Sequence, residues 1–237
     1  YRTAETQIIV DTYLGLAVAL AVVAGAVWLF RNALKGERHE QSSLTGGFSL
    51  LRQMRFGFGA LCIFLYVGAE VAIGSLIVNY LQLPRVMGLD QQTAGEMLVY
   101  YWGGAMVGRF IGSVVLRLVR PGLVLGFNAA AVILLILISA NSGGTVAGYS
   151  ILAIGLMNSI MFPTIFTLAC EGLGSRAADG SGIINVAIVG GAVIPPLTGA
   201  FADVSGSLQL ALTIPALCYA VIAGFGLWTA RRAGAAA

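Results

Sequence analysis

The chain has 237 residues, 58% hydrophobic and only 10% charged, with a formal net charge of +3. Soluble domains carry about 25% charged residues, so this composition excludes an ordinary water-soluble fold and points to a bilayer as solvent. One histidine and three cysteines scattered in apolar runs (Cys62, Cys170, Cys218) exclude a disulfide framework, a metal centre and a Ser/His/Asp or Cys/His catalytic set.

Seven stretches are long and apolar enough to span: about 7–30, 56–82, 93–118, 122–140, 145–170, 181–202 and 208–230. Turn residues separate them: Pro84-Arg85, Arg120-Pro121-Gly122, Asn141 to Gly144, Gly172 to Gly180, and Ser205-Gly206-Ser207. The first loop is the exception. Residues 31–55 are long, with a polar middle (Glu37 to Ser43), and divide the chain into one span and then six. His39 lies there and reads as a solvated loop residue. The start at Tyr1, with no signal-peptide layout, reads as internal to a longer protein.

The basic residues orient the spans. Arg31, Lys35, Arg38, Arg52, Arg55, Arg117, Arg120, Arg176, Arg231 and Arg232 fall on one side if every span crosses. Arg2 and Arg85 fall on the other. This bias places the C-terminus in the cytoplasm and the start of the first span outside. Seven spans also describe a retinal protein, but the only lysine, Lys35, is in a loop and cannot form the Schiff base in the last helix. The division into one and six, with polar residues inside spans, suits a transporter better than a seven-helix receptor. No phosphate-binding loop supports ATP-driven transport, and nothing points to nucleic acid or to a cofactor.

Five ordered segments carry a more specific signal. They are Tyr66-Val67-Gly68-Ala69-Glu70, Gly108-Arg109-Phe110-Ile111-Gly112, Phe162-Pro163-Thr164-Ile165-Phe166, Ile188 to Ala192 with Pro195, Gly199 and Asp203, and Ile214 to Cys218. Together they resemble the fucose permease and glucose/galactose transporter branch of the major facilitator superfamily. The resemblance implies an all-α integral membrane fold of two six-helix bundles. This chain would supply the C-terminal six-helix bundle (56–237), one preceding transmembrane helix (1–30, the sixth of the whole) and the central cytoplasmic loop (31–55). The N-terminal bundle would be the missing partner. The implied activity is secondary transport of a hexose across the inner membrane by alternating access. A fucose or amino-sugar permease and a non-transporting membrane sensor on the same fold are the alternatives. The resemblance places the proton-binding carboxylates mainly in the missing half, so coupling to protons, to sodium or to neither stays open.

Glu70 is the outstanding residue, a carboxylate near the middle of a span, where insertion costs at least about 2.5 kcal/mol. It therefore faces a cavity or a partner, and it can accept hydrogen bonds from vicinal sugar hydroxyls. The fucose-permease pattern has glutamine at this position, so Glu70 points to the glucose/galactose branch. Tyr66 and Gly74 lie one turn either side on its face, with Gly74 leaving room against the backbone. Asn79 joins that face only if the helix kinks. Asn158 sits mid-span, suited either to sugar hydroxyls or to an interhelical hydrogen bond. Asn185 lies in a span that the resemblance makes cavity-lining. Trp102 either stacks on a sugar face or anchors the helix at the interface. Gly104, Gly108 and Gly112 form a small-residue stripe for close helix packing. Arg109, about 12 Å of helix inside the cytoplasmic end, is expected to pair with Glu171 or Asp179. With Arg176, these residues resemble the superfamily's cytoplasmic gating network.

Overall fold

The computed structural model describes residues 2–30 and 44–235. Arg31, Lys35, Arg38, His39 and most of the predicted loop lie outside the described residues. The chain divides into two units, 1–42 and 43–237. The first contains α1 (Arg2–Phe30), whose Thr12–Phe30 stretch has a mean hydropathy of 2.3. Apolar side chains surround it on every face, as suits a lipid-facing span.

The second unit begins with α2 (Leu44–Leu50) and the 29-residue α3 (Met54–Gln82). Then come α4 (Gln91–Glu96), α5 (Leu98–Leu118), α6 (Pro121–Asn141), α7 (Gly144–Asn158) and α8 (Met161–Cys170). A 3-10 turn (Gly174–Arg176) leads to α9 (Ala177–Ala187), α10 (Gly190–Ser205), α11 (Leu208–Ala211) and α12 (Thr213–Ala235). No strand occurs among the described residues. Among the described residues, six stretches are long and apolar enough to cross a bilayer: Thr12–Phe30, Met54–Gln82, Pro121–Asn141, Gly144–Cys170, Gly174–Ser205 and Leu208–Arg232. The seventh predicted span forms the 21-residue α5, about 31 Å long and sufficient to cross. Arg109, Arg117 and the Tyr100-Tyr101-Trp102 run lower its hydropathy.

Besides the span in which α4 leads into α5 at Met97, three predicted spans are each two helices end to end. The breaks fall at Ser159-Ile160, Ile188-Val189 and Leu212. Prolines explain the first and third. Pro163 and Pro215 have no N–H to offer the carbonyls of Ser159 and Ala211, four residues back, and their rings crowd those carbonyls. At the second, Gly191 N and Ala192 N donate to Ile188 and Val189, three residues back, which tightens the backbone. By contrast α3, where Asn79 lies, is unbroken.

Helix α3 is the centre of the bundle, against α8, α10 and α12, while α5 and α6 pack on α7, and α6 also packs on α12. Glycines set the closest crossings. The Gly104, Gly108 and Gly112 stripe faces Leu156, Ser159 and Ile160 across α5 and α7. A methyl group on Gly226 would lie 2.6 Å from Gly126 N across α6 and α12. Gly190 presses its backbone on the Phe64 carbonyl of α3, leaving no room for a side chain. Gly190→Ala is therefore expected to cost about 1–3 kcal/mol by overpacking. Gly224→Ala, in α12 with open space around it, is expected to be neutral or slightly stabilising. Thermal unfolding in detergent compares the two, and equal midpoints would contradict the crossing.

The basic connections gather at one end of the bundle. Arg120 at the start of α6 donates to Ala230 O near the end of α12 at 3.4 Å. Arg55 at the start of α3 donates to Leu168 O near the end of α8 at 2.9 Å. Arg85 lies at the other end, donating to Ala140 O at 3.2 Å.

Candidate functional site

A cavity of about 560 Å³ opens beside the middle of α3. Tyr66 and Glu70 reach it from α3, Arg109 and Ser113 from α5, and Phe162 and Pro163 from α8. The α7–α8 break forms part of the wall through Ser159 and Ile160. Glu70 is half-buried and shares the cavity lining with the Arg109 guanidinium and with Tyr66, one turn before it on α3. Next to it, Gly74 has open space where a side chain would be. The Phe162 ring lies 6.4 Å from that of Tyr66 and stacks on Phe166 at 6.5 Å. The cavity thus combines an anionic acceptor, a fork of cationic donors, a hydroxyl and aromatic surface.

Behind this wall lies a buried polar cluster. The Asn158 amide nitrogen donates to Tyr101 Oη at 3.1 Å, and its Oδ1 accepts from Tyr219 Oη at 2.9 Å. The Asn158 backbone carbonyl accepts from Tyr66 Oη at 3.0 Å. Nearby, Asn128 on α6 donates to Met157 O at 3.0 Å. The last carbonyls of a helix lack intrahelical partners, and here side chains from α3 and α6 satisfy two of them. Asn158 so ties together α3, α5, α7 and α12, and no buried side-chain polar atom among the described residues is left unpartnered.

The predicted substrate set therefore divides. Glu70 and Tyr66 share the cavity. Asn158 stands immediately behind it, with both amide atoms engaged in interhelical hydrogen bonds. Asn79, Asn185 and Trp102 are exposed and lie outside the cavity lining. Trp102 meets Tyr101 edge-on at 5.1 Å. Tyr219 was missed by sequence reasoning. Its signal was a tyrosine deep in an apolar helix, since a buried hydroxyl requires a partner.

The expected pairing of Arg109 with Glu171 or Asp179 is corrected. Glu171 pairs with Arg55, and Asp179 with Arg176 at 3.9 Å, one turn away on the same segment. Arg176 also donates to Ser49 Oγ at 2.8 Å. Arg109 pairs with neither carboxylate; it points into the cavity that holds Glu70. Packing is the reason. The Glu171 end of α8 lies against the start of α3, bringing Arg55 to it, whereas α5 packs on α7. Arg109 sits about 13 Å of helix away from the end of α5.

An all-α bundle of spanning helices, one of them interrupted beside a polar cavity, is the architecture of a membrane transporter domain. The sequence is 46% identical over 224 residues to a glucose/galactose transporter of Brucella abortus, covering 94% of this chain and 54% of that protein. It is 44% identical over 230 residues to a putative glucose/galactose transporter of Helicobacter pylori, covering 95% and 56%. With the L-fucose-proton symporter of Escherichia coli it shares 33% identity over 218 residues, covering 89% and 49%. A crystal structure of the E. coli fucose:proton symporter FucP matches with a TM-score of 0.75 at 33% identity, over 80% of this chain and 46% of that one. No family profile matches the sequence. The chain spans about half the length of these relatives. It belongs to the fucose permease and glucose/galactose transporter branch of the major facilitator superfamily.

Proposed function

We propose that the full-length protein carries a glucose- or galactose-like hexose across the cytoplasmic membrane by alternating access, driven by a proton or sodium gradient. This chain supplies the C-terminal six-helix bundle, the helix before it and the central cytoplasmic loop. The C-terminus lies in the cytoplasm, where the arginines at the Arg55 and Arg120 end of the bundle face the anionic leaflet. One observation carries the reading: the cavity that holds Glu70, Arg109, Tyr66 and Phe162 at mid-helix depth. Sugar hydroxyls both donate and accept, so a carboxylate beside a guanidinium suits them, and aromatic rings suit the apolar faces of a pyranose. The relatives named glucose/galactose transporter support the hexose assignment. Alternating access needs a second bundle rocking about the site, which the N-terminal half of the full protein provides.

Uptake of a labelled hexose panel into proteoliposomes containing the full-length protein tests this. Saturable glucose or galactose uptake that rises with an inward proton or sodium gradient is expected. No saturable uptake of any hexose under either gradient would contradict it.

A further inference from the structure

The Tyr66 hydroxyl has one hydrogen, and it shares the cavity with a second acceptor besides the one it bonds. It donates to the Asn158 carbonyl at 3.0 Å, and the Glu70 carboxylate lies one turn along α3 from it. The two acceptors belong to different parts of the machine. Glu70 opens into the cavity. Asn158 O is the last carbonyl of α7, at the break before α8. The Asn158 side chain is held separately, by Tyr101 of α5 and Tyr219 of α12. Only the carbonyl depends on Tyr66.

We propose that Tyr66 is a positioning residue that reports occupancy of Glu70 to the α7–α8 break, by moving its one hydrogen between the Asn158 carbonyl and the Glu70 carboxylate. This rests on the reading of the cavity as the sugar site. When sugar hydroxyls donate to Glu70, the carboxylate is satisfied and ceases to compete. Tyr66 then caps Asn158 O and holds the break against α3. When the cavity is empty, the bare carboxylate draws the hydroxyl, and the last carbonyl of α7 loses its donor. The break is already open to turning, because Pro163 cannot donate back to Ser159. Of the other charged or titratable groups, Arg109 of α5 lines the same cavity, and the Tyr101 and Tyr219 hydroxyls lie behind its wall. Both tyrosines are engaged with the Asn158 amide, which leaves Tyr66 as the hydroxyl that links the two ends.

The test reads amide hydrogen exchange of the 156–166 segment in the detergent-solubilised full-length protein, first without sugar. Glu70→Gln weakens the competing acceptor and is expected to slow exchange about threefold, whereas Tyr66→Phe removes the cap and speeds it about fivefold. The double variant behaves like Tyr66→Phe. Saturating glucose or galactose slows the wild-type segment about threefold and leaves Tyr66→Phe unchanged. In proteoliposomes Tyr66→Phe keeps the sugar Kd within about threefold but lowers the sugar transport rate about tenfold. Unchanged segment exchange in Glu70→Gln overturns the proposal. So does a Kd raised in Tyr66→Phe as far as in Glu70→Gln, which would make Tyr66 a plain sugar ligand. If no hexose has any effect but the sugar-free pattern holds, the substrate reading falls and the relay stands. If Tyr66→Phe does not fold, the Glu70→Gln arm decides.

Discussion

Full-length protein carrying Glu70→Gln is expected to take up hexose with an apparent affinity about 10- to 100-fold below wild type. The carboxylate is the one acidic group lining the cavity, and the Arg109 guanidinium shares that space. A hydrogen bond to a charged group contributes about 1.5–3 kcal/mol, and about 1.4 kcal/mol is a tenfold change in affinity. Glutamine keeps the length and one acceptor oxygen, so the variant fills the same space while losing the charge and the second acceptor. It also leaves Arg109 facing an uncharged neighbour. Concentration-dependent uptake of labelled glucose and galactose, normalised to reconstituted protein, makes the measurement. Wild-type affinity and rate would remove Glu70 from the binding site.

The second large effect falls on stability. Asn158→Ala removes the acceptor of Tyr219 and the donor to Tyr101 in one step. Tyr101 and Tyr219 are fully buried. A buried hydroxyl left unpaired costs about 1–3 kcal/mol, and the lost side-chain volume adds a cavity cost. Partners available to the unfolded chain within the membrane reduce the total, so a destabilisation of about 2–4 kcal/mol is expected. Tyr219→Phe removes one hydrogen bond and leaves Asn158 Oδ1 unsatisfied, for about 1–2 kcal/mol. Thermal unfolding in detergent ranks wild type above Tyr219→Phe and Tyr219→Phe above Asn158→Ala. Equal midpoints for Asn158→Ala and wild type would show that the cluster contributes nothing.

Residues whose environment is set along the chain were legible in the sequence. Glu70 stood out because a carboxylate amid apolar neighbours has few reasons to exist, and Tyr66 followed from helical spacing. The order of the helices followed from apolar runs and turn residues. What depends on how helices face one another was not legible. The break at Ser159-Ile160 lies just before Pro163, but whether a helix is interrupted there depends also on side chains that satisfy the last carbonyls of α7, Met157 O and Asn158 O. Here these are Asn128 and Tyr66, from helices far off in sequence. Asn158 was recognised as polar and central. Its partners Tyr101 and Tyr219 are 57 and 61 residues away, and only packing brings them to it. Arg109 was assigned carboxylates at the cytoplasmic end from depth alone. Which side of α5 faces α7 is set by the glycine stripe, and Arg109, about 100° around the helix from Gly108, is left toward the cavity. Asn79, Asn185 and Trp102 show the same limit: residue chemistry marked them, and the direction they face lay in the tertiary structure.

Sugar protection of a cysteine placed at Gly74 tests most directly whether the space beside Glu70 receives the substrate. A side chain at Gly74 meets nothing within 4 Å, so Gly74→Cys is compatible with the helix. The variant is made in full-length protein freed of other reactive cysteines, and labelling by a small maleimide is followed with and without sugar. Saturating glucose or galactose is expected to slow labelling about tenfold, an effect of about 1.4 kcal/mol, while a non-transported sugar does not. Unchanged labelling in a variant that still transports hexose would place the substrate elsewhere and contradict the assignment of Glu70 to the sugar site.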